Sequence, residues 1–322
     1  MLGIVYSEDR IALGSKIALT LISAAPEEDV REIFRRLWLW ILTFEQRCSR
    51  FLPDSELSQL NRSAGIRMHI TDEFRDALLA AKSMSEQTEG LFNPFILPAL
   101  QRAGYVKSFV KAHADDPVDD FSSRVVASSE ALEIGDTWAS IPYGTAIDLG
   151  GCGKGYAGDM LSKAVSQFKE VDGYCFSVGG DVVVGGSAPD GGLWEVQVEG
   201  AVGRRPVAGI VRLPDESIAA VATSSTHFRR GGAGRNAWHH IIDPRTLRPA
   251  TTDIVNATVY ADSLLEADVL ASCLIVVGSQ NAEVYLRKYG RTVHGMLLQA
   301  RRPSGRWFTK GFGFTTNGQQ KR

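Results

Sequence analysis

Helical and extended hydrophobic patterns interleave along this chain without regular alternation, and that irregular order is the strongest single constraint on its fold. Apolar residues recur at helical spacing over 27–47 (Val30, Ile33, Phe34, Leu37, Ile41, Phe44), which predicts an amphipathic helix. A second is expected over 71–89, capped by Thr71 with Asp72 and Glu73 in its first turn. A short helix should follow Pro53-Asp54-Ser55-Glu56, and others are expected over 156–168 and, buried, over 264–277. Strands are expected over 11–23 with Gly14-Ser15 inside, then over 131–134, 138–141 and 146–149. The stretch 174–184 reads as a strand broken by Gly179-Gly180-Asp181, and 193–198, 208–213, 254–260, 295–299 and 306–309 complete the set. With no strict βαβ period, the class is α+β: a single domain over 1–322, in two lobes, with a polar, aspartate-rich surface excursion near 107–123.

Charge narrows the function. Across 322 residues, 35 lysines and arginines nearly balance 37 aspartates and glutamates, for a net charge of −2. That balance leaves no footprint for nucleic acid and no polybasic membrane anchor. The first ten residues lack the basic-then-apolar order of a signal peptide, and no uninterrupted apolar run of about 18 residues suggests a transmembrane segment. The cysteines (Cys48, Cys152, Cys175, Cys273) show no CxxC spacing, so reduced thiols in a cytoplasmic protein are expected.

Chemistry-bearing residues concentrate in a few stretches. In Ile147-Asp148-Leu149-Gly150-Gly151-Cys152-Gly153-Lys154-Gly155, a carboxylate ends an apolar run and a glycine turn with a lysine opens a helix. This can cradle phosphate, although neither the P-loop nor the dinucleotide spacing is present. Asp268 and Ser272 lie four apart on a helix, so their oxygens share a face and offer hard donors suited to Mg²⁺; a capping or solvated pair is the plainer reading. Trp238-His239-His240-Ile241-Ile242-Asp243 places adjacent histidines on opposite faces of a strand, with a solvated His239 and a hydrogen-bonded His240 as the plain alternative to a functional His240. The loops Cys48-Ser49-Arg50-Phe51 and Gly90-Leu91-Phe92-Asn93-Pro94 put polar groups and an aromatic ring beside helix ends.

In this order, these stretches resemble the FAD:protein FMN transferase family, the ApbE-type flavin transferases, from about Ala12 to Gly278. Val178-Gly179-Gly180-Asp181, Ala222-Thr223-Ser224 and the helix from Ala267 to Gly278 belong to the same pattern. The resemblance implies a two-lobed α+β fold with FAD in a cleft between lobes. It also implies an enzyme that uses Mg²⁺ to transfer FMN from FAD to a serine or threonine hydroxyl of an acceptor protein, releasing AMP. It places Leu13, Phe51, Leu91, Phe92, Asn93, Asp148, Lys154 and Ile241 at FAD, and Gly151 (through its carbonyl), Asp268 and Ser272 at the metal. His240 and Lys154 would serve the chemistry. An FAD pyrophosphatase or a non-catalytic FAD-binding protein would use the same residues. The sequence departs from the family at Phe51 (for tyrosine), Asn93 (for aspartate), Ser225 and Leu247 (each for glycine) and Ser272 (for threonine).

Overall fold

A computed structural model describes residues 3–107, 119–201, 207–213, 218–232, 238–290, 292–302 and 304–316. Most of the expected polar excursion, 108–118, lies outside the described residues. The chain divides into two compact units: Met1–Ile41, Lys154–Ser225 and Thr252–Arg322 form the first, Leu42–Gly153 and Thr226–Thr251 the second.

The first unit is built on an eight-stranded sheet in which every neighbouring pair is antiparallel. Its order is β1 (Ile4–Ala12), β2 (Ser15–Ser23), β6 (Gly173–Val178), β7 (Asp181–Gly186), β10 (Ala219–Ser225), β15 (Ile254–Ala261), β16 (Val293–Arg301) and β17 (Trp307–Phe312). The single strand expected over 11–23 is instead half of a hairpin. Leu13 and Gly14 both adopt positive φ (52° and 67°) and reverse the chain between β1 and β2. β1 escaped the sequence reading because most of its residues are exposed on both faces, leaving no alternation to detect. The Gly179-Gly180 break is a second such turn, joining β6 to β7. A three-stranded sheet of β8 (Trp194–Glu199), β9 (Val207–Leu213) and β18 (Thr315–Thr316) shares a core with the large one through Val198, Val211, Leu297 and Phe314.

Against β10 and β15 lies α6 (Leu264–Leu286), capped by Ser263. The helix breaks at Gly278 (φ 78°), where Asp253 accepts from Ser279 N at 3.0 Å and restarts it, so it runs beyond the expected end at 277. By length and composition alone this helix could cross a membrane, but most of its residues are buried within the unit. α5 (Gly153–Val165) starts three residues before its expected position, which places Lys154 in its first turn. β10 was not expected as a strand: its small residues, Ala219-Ala220-Val221-Ala222-Thr223-Ser224-Ser225, carry little of the usual β signal.

α1 (Glu27–Cys48) buries all six apolar positions read from the sequence. Its residues from Leu42 onward belong to the second unit. That unit contains α2 (Glu56–Arg62), capped by Ser55, α3 (Asp72–Gln87), capped by Thr71, and α4 (Leu97–Ala103). Its strands are short: β3 (Met68–His69), β5 (Trp138–Ser140) and β4 (Glu133–Ile134) form one sheet. β11 (Arg230–Gly231) pairs with β12 (Trp238–His239), and β13 (Ile242–Asp243) with β14 (Arg248–Pro249). The expected strand at 131–134 is only partly one, since Ser129–Ala131 is a 3₁₀ turn. No strand forms over 146–149. The buried Asn61 side chain takes both backbone groups of Ile147, accepting from its N at 2.8 Å and donating to its O at 2.9 Å. A side-chain amide thus replaces the neighbouring strand.

Candidate functional site

In the first unit, two glycines bring α5 unusually close to α6. A Cβ on Gly155 would stand 2.6 Å from Leu264 O and Leu265 Cα, and one on Gly158 only 2.3 Å from Leu264 Cδ2. This approach lets Gly155 N donate to Asp268 Oδ2 at 3.2 Å, while Lys154 Nζ donates to both Asp268 oxygens at 3.2 and 3.3 Å. The same ammonium bonds Asp181, whose other oxygen accepts from Thr223 N at 2.9 Å. Asp181 is held there because the Gly179-Gly180 turn ends at it. Gly179 packs against Ser15 and the Lys154 stem, where a side chain would collide. All three charged groups are largely buried. Burial pushes the Asp268 carboxyl up to about 6; Lys154 opposes that shift and Asp181 adds to it. Two carboxylates thus share one ammonium. One turn along α6, Ser272 Oγ lies 2.7 Å from Ser224 Oγ on β10. Among the described residues no three His, Cys, Asp or Glu side chains gather as a ligand set, so a metal here must draw on hydroxyl or backbone oxygens. Those donors suit a hard cation such as Mg²⁺. The structure thus brings Lys154 and Asp268 together and adds Asp181 and Ser224, which the sequence reading had not assigned. Leu13 lies in the β1–β2 turn of the same unit, its carbonyl accepting from Ser15 Oγ at 3.5 Å.

The second unit holds the remaining candidates. Asp148 is buried, faces Arg50 Nε at 3.1 Å and accepts from Gly150 N at 3.1 Å. The Arg50 guanidinium lies over the Phe51 ring (4.1 Å to its centroid) and the Tyr105 ring (4.7 Å). Tyr105 in turn stacks with Trp238, centroids 6.2 Å apart and 24° between planes, and meets His240 edge-on at 6.3 Å. Phe92 is buried and packs on Gly151, where a Cβ would come within 3.2 Å of its ring. Asn93 caps the turn that follows it: Oδ1 accepts from Phe95 N at 2.9 Å and Nδ2 donates to Ala127 O at 2.8 Å. Leu91 is half-buried in the turn before it, and Ile241 is buried with its N–H bonded to His239 Nδ1 at 3.3 Å.

The histidine pair departs from the plain alternative at His239, which is not solvated, and agrees with it in a hydrogen-bonded His240. His239 is tethered through both ring nitrogens: Nδ1 accepts from Ile241 N, so Nε2 carries the proton and donates to Ala250 O at 3.0 Å. Burial holds its pKa below the ordinary imidazole value. His240 lies in a bend after β12, half-buried, with Nδ1 at 3.2 Å from Arg229 O. A carbonyl only accepts, so Nδ1 bears the proton and Nε2 is the basic nitrogen.

Comparison with known proteins gives a consistent placement. The model of the ApbE family matches residues 13–297. The chain is 25% identical over 253 residues to the FAD:protein FMN transferase of Salmonella typhimurium, spanning 76% of this chain and 71% of that one. It is 26% identical over 304 residues to the FAD:protein FMN transferase of Treponema pallidum, spanning 88% and 82%. Its fold is similar to that of the Pseudomonas stutzeri flavinyl transferase ApbE in its apo form, with a TM-score of 0.78 at 20% identity over 97% of this chain and 95% of that one. The ApbE protein of Thermotoga maritima gives a TM-score of 0.79 at 21% identity over 98% of each chain. The α+β fold, the glycine turn into Lys154 and the match over most of the length lead to one placement: the chain belongs to the ApbE family.

Proposed function

We propose that this chain is an FAD:protein FMN transferase, an Mg²⁺-dependent enzyme that moves FMN from FAD onto a serine or threonine hydroxyl of an acceptor protein and releases AMP. The observation that carries this reading is the buried Lys154–Asp181–Asp268 cluster, with Ser272 one turn further along α6, in a chain of this family. Asp268, Ser272 and the backbone carbonyl of Gly151 would hold Mg²⁺, which when bound neutralises charge on the pyrophosphate. Lys154 supplies a fixed positive charge to the same phosphates. His240 Nε2 takes the proton of the acceptor hydroxyl as its oxygen bonds to the FMN phosphorus and the bond from that phosphorus to the AMP oxygen breaks. Leu13, Phe51, Leu91, Phe92, Asn93, Asp148 and Ile241 contribute surface and hydrogen bonds to FAD.

Incubating the protein with FAD, Mg²⁺ and a candidate acceptor, then weighing the acceptor, tests the reading. The expected result is a gain of one FMN, lost when the acceptor hydroxyl residue becomes alanine and reduced about 10²- to 10⁴-fold by His240→Ala. Positioning the acceptor supplies roughly 7–11 kcal/mol over dilute water, so hydrolysis should be slow beside transfer. FAD cleaved to FMN and AMP at one rate with or without acceptor would make the chain a pyrophosphatase. Binding without cleavage would make it a flavin store.

A further inference from the structure

Arg50 sits in the second unit in a setting that packing alone does not explain. Its side chain is only 4% exposed, its Nε faces Asp148 Oδ1 at 3.1 Å, and its Nη2 donates to Tyr105 O at 3.1 Å. Nη1 is buried and, among the described residues, has no hydrogen-bond partner. A buried donor left unpaired is costly and rare in folded proteins, and a charged one more so. Asp148 already matches the guanidinium charge, so Nη1 wants a lone pair and not a second anion. The surroundings define whose lone pair. Two rings lie against the guanidinium, Phe51 and Tyr105, their centroids 6.1 Å apart, and Tyr105 continues into the stacked Trp238. Trp238 is wedged flat: a Cβ on Gly104 would stand 2.7 Å from its Nε1, and one on Gly231 2.8 Å from its ring. Phe51 is only partly buried, at the edge of the cluster of Ala99, Leu100, Tyr105 and Ile242.

We propose that Arg50 is a nucleotide-reading residue whose Nη1 donates to a neutral lone pair on a heteroaromatic ring of the bound flavin nucleotide. This rests on the reading of the chain as an FAD-binding enzyme. A planar heterocycle entering beside Phe51 stacks on the same aromatic surface and satisfies a buried charged donor that has no partner among the described residues. The acceptor belongs either to the adenine or to the isoalloxazine ring, which share this chemistry.

The test is calorimetric, on the whole chain. FAD analogues in which one ring nitrogen is replaced by C–H (deaza-adenine and deazaflavin forms) should bind the wild-type protein as tightly as FAD, except for the one lacking the accepted lone pair. That one should bind about 10- to 100-fold more weakly, the range for a hydrogen bond to a charged donor. Arg50→Lys keeps the charge opposite Asp148 but removes Nη1, and should abolish that discrimination. Separate titrations identify the source: AMP affinity falls in Arg50→Lys if the lone pair is on adenine, FMN affinity if it is on the flavin. Equal affinity across the analogue series, or an Arg50→Lys loss equally large for inorganic pyrophosphate, overturns the proposal. Should Arg50→Lys fail to fold, the analogue series on the wild-type protein still decides. No FAD binding by the wild-type protein overturns the functional reading and this proposal together, whereas FAD binding without analogue discrimination overturns this proposal alone.

Discussion

Leu13 holds a backbone conformation that leucine resists. Its φ of 52° lies in the left-handed region, at the first position of a two-residue turn followed by Gly14 (φ 67°). There an L side chain costs about 1–2 kcal/mol that asparagine largely avoids, and Asn-Gly is the strongest sequence for such a hairpin. Strain of this kind persists where a side chain has other work, and the family resemblance assigns Leu13 to FAD. Leu13→Asn should therefore raise the free energy of unfolding by about 1 kcal/mol in a urea titration while weakening FAD binding by calorimetry. Leu247, also left-handed at 57°, accounts for the glycine that the family places there. Its side chain packs beside Ala99, Leu100 and Ile242, so the second unit offsets the strain with apolar contact. His239 supplies the pH dependence at this scale. Its folded pKa is lowered chiefly by burial, so between that value and about 6.5 the unfolded chain binds more protons. The stability it contributes is present above that window and lost as pH falls through it. Melting curves from about pH 7.5 to about 5.5 should show a loss in the wild type that His239→Gln flattens.

At the scale of elements, what the sequence revealed followed how far each element relied on its own residues. α1 and α3 announce themselves because their burial is periodic and, in α3, because Thr71 caps its own first turn. The segment 146–149 misled because the partner that satisfies its backbone is the side chain of Asn61, distant in sequence. Likewise Asp181 and Arg50 were visible as residues but not as parts of a site, since their roles depend on Lys154 and Asp148, 27 residues away in the first case. The α5–α6 approach is a joint property of this kind, and it depends on glycine. Gly155→Ala would push a methyl group against the Leu264–Leu265 backbone, which has no rotamer to yield. Overpacking of this type costs typically about 1–3 kcal/mol and would separate Gly155 N and Lys154 from Asp268. The expected outcome is a folded but less stable protein whose melting temperature no longer rises with added Mg²⁺. An undiminished Mg²⁺-dependent shift would show that the close approach does not set the cation site.

Across the whole molecule, the chain order sets what can be removed. The first unit is assembled from three separated segments and the second from two, so neither is a contiguous piece of sequence. The large sheet makes this concrete. β10 pairs with β15 along Ala220–Ser225 against Ala261–Asn256, and β15 pairs onward with β16. The α6 helix that covers β10 and β15 also comes from the final segment. Ending the chain at residue 225 therefore deletes three of the eight strands and the helix over the sheet, and turns a central strand into an edge. The exposed β10 edge would be short-sided, apolar and free of lysine or proline, with Val221 and Ala222 newly uncovered. A segment such as Leu42–Gly153 alone fares little better, because it lacks the Thr226–Thr251 stretch carrying Trp238 and the β13–β14 hairpin. Long-range pairings of this kind must close large loops before any contact offsets the entropy, so they form slowly and together. Expression of residues 1–225 should yield aggregated chain with no cooperative melting transition, and supplying residues 226–322 in trans during refolding should recover soluble complex. A monomeric 1–225 fragment with a sharp thermal transition would mean that the sheet closes on its first five strands, and that the final segment docks onto a core already formed.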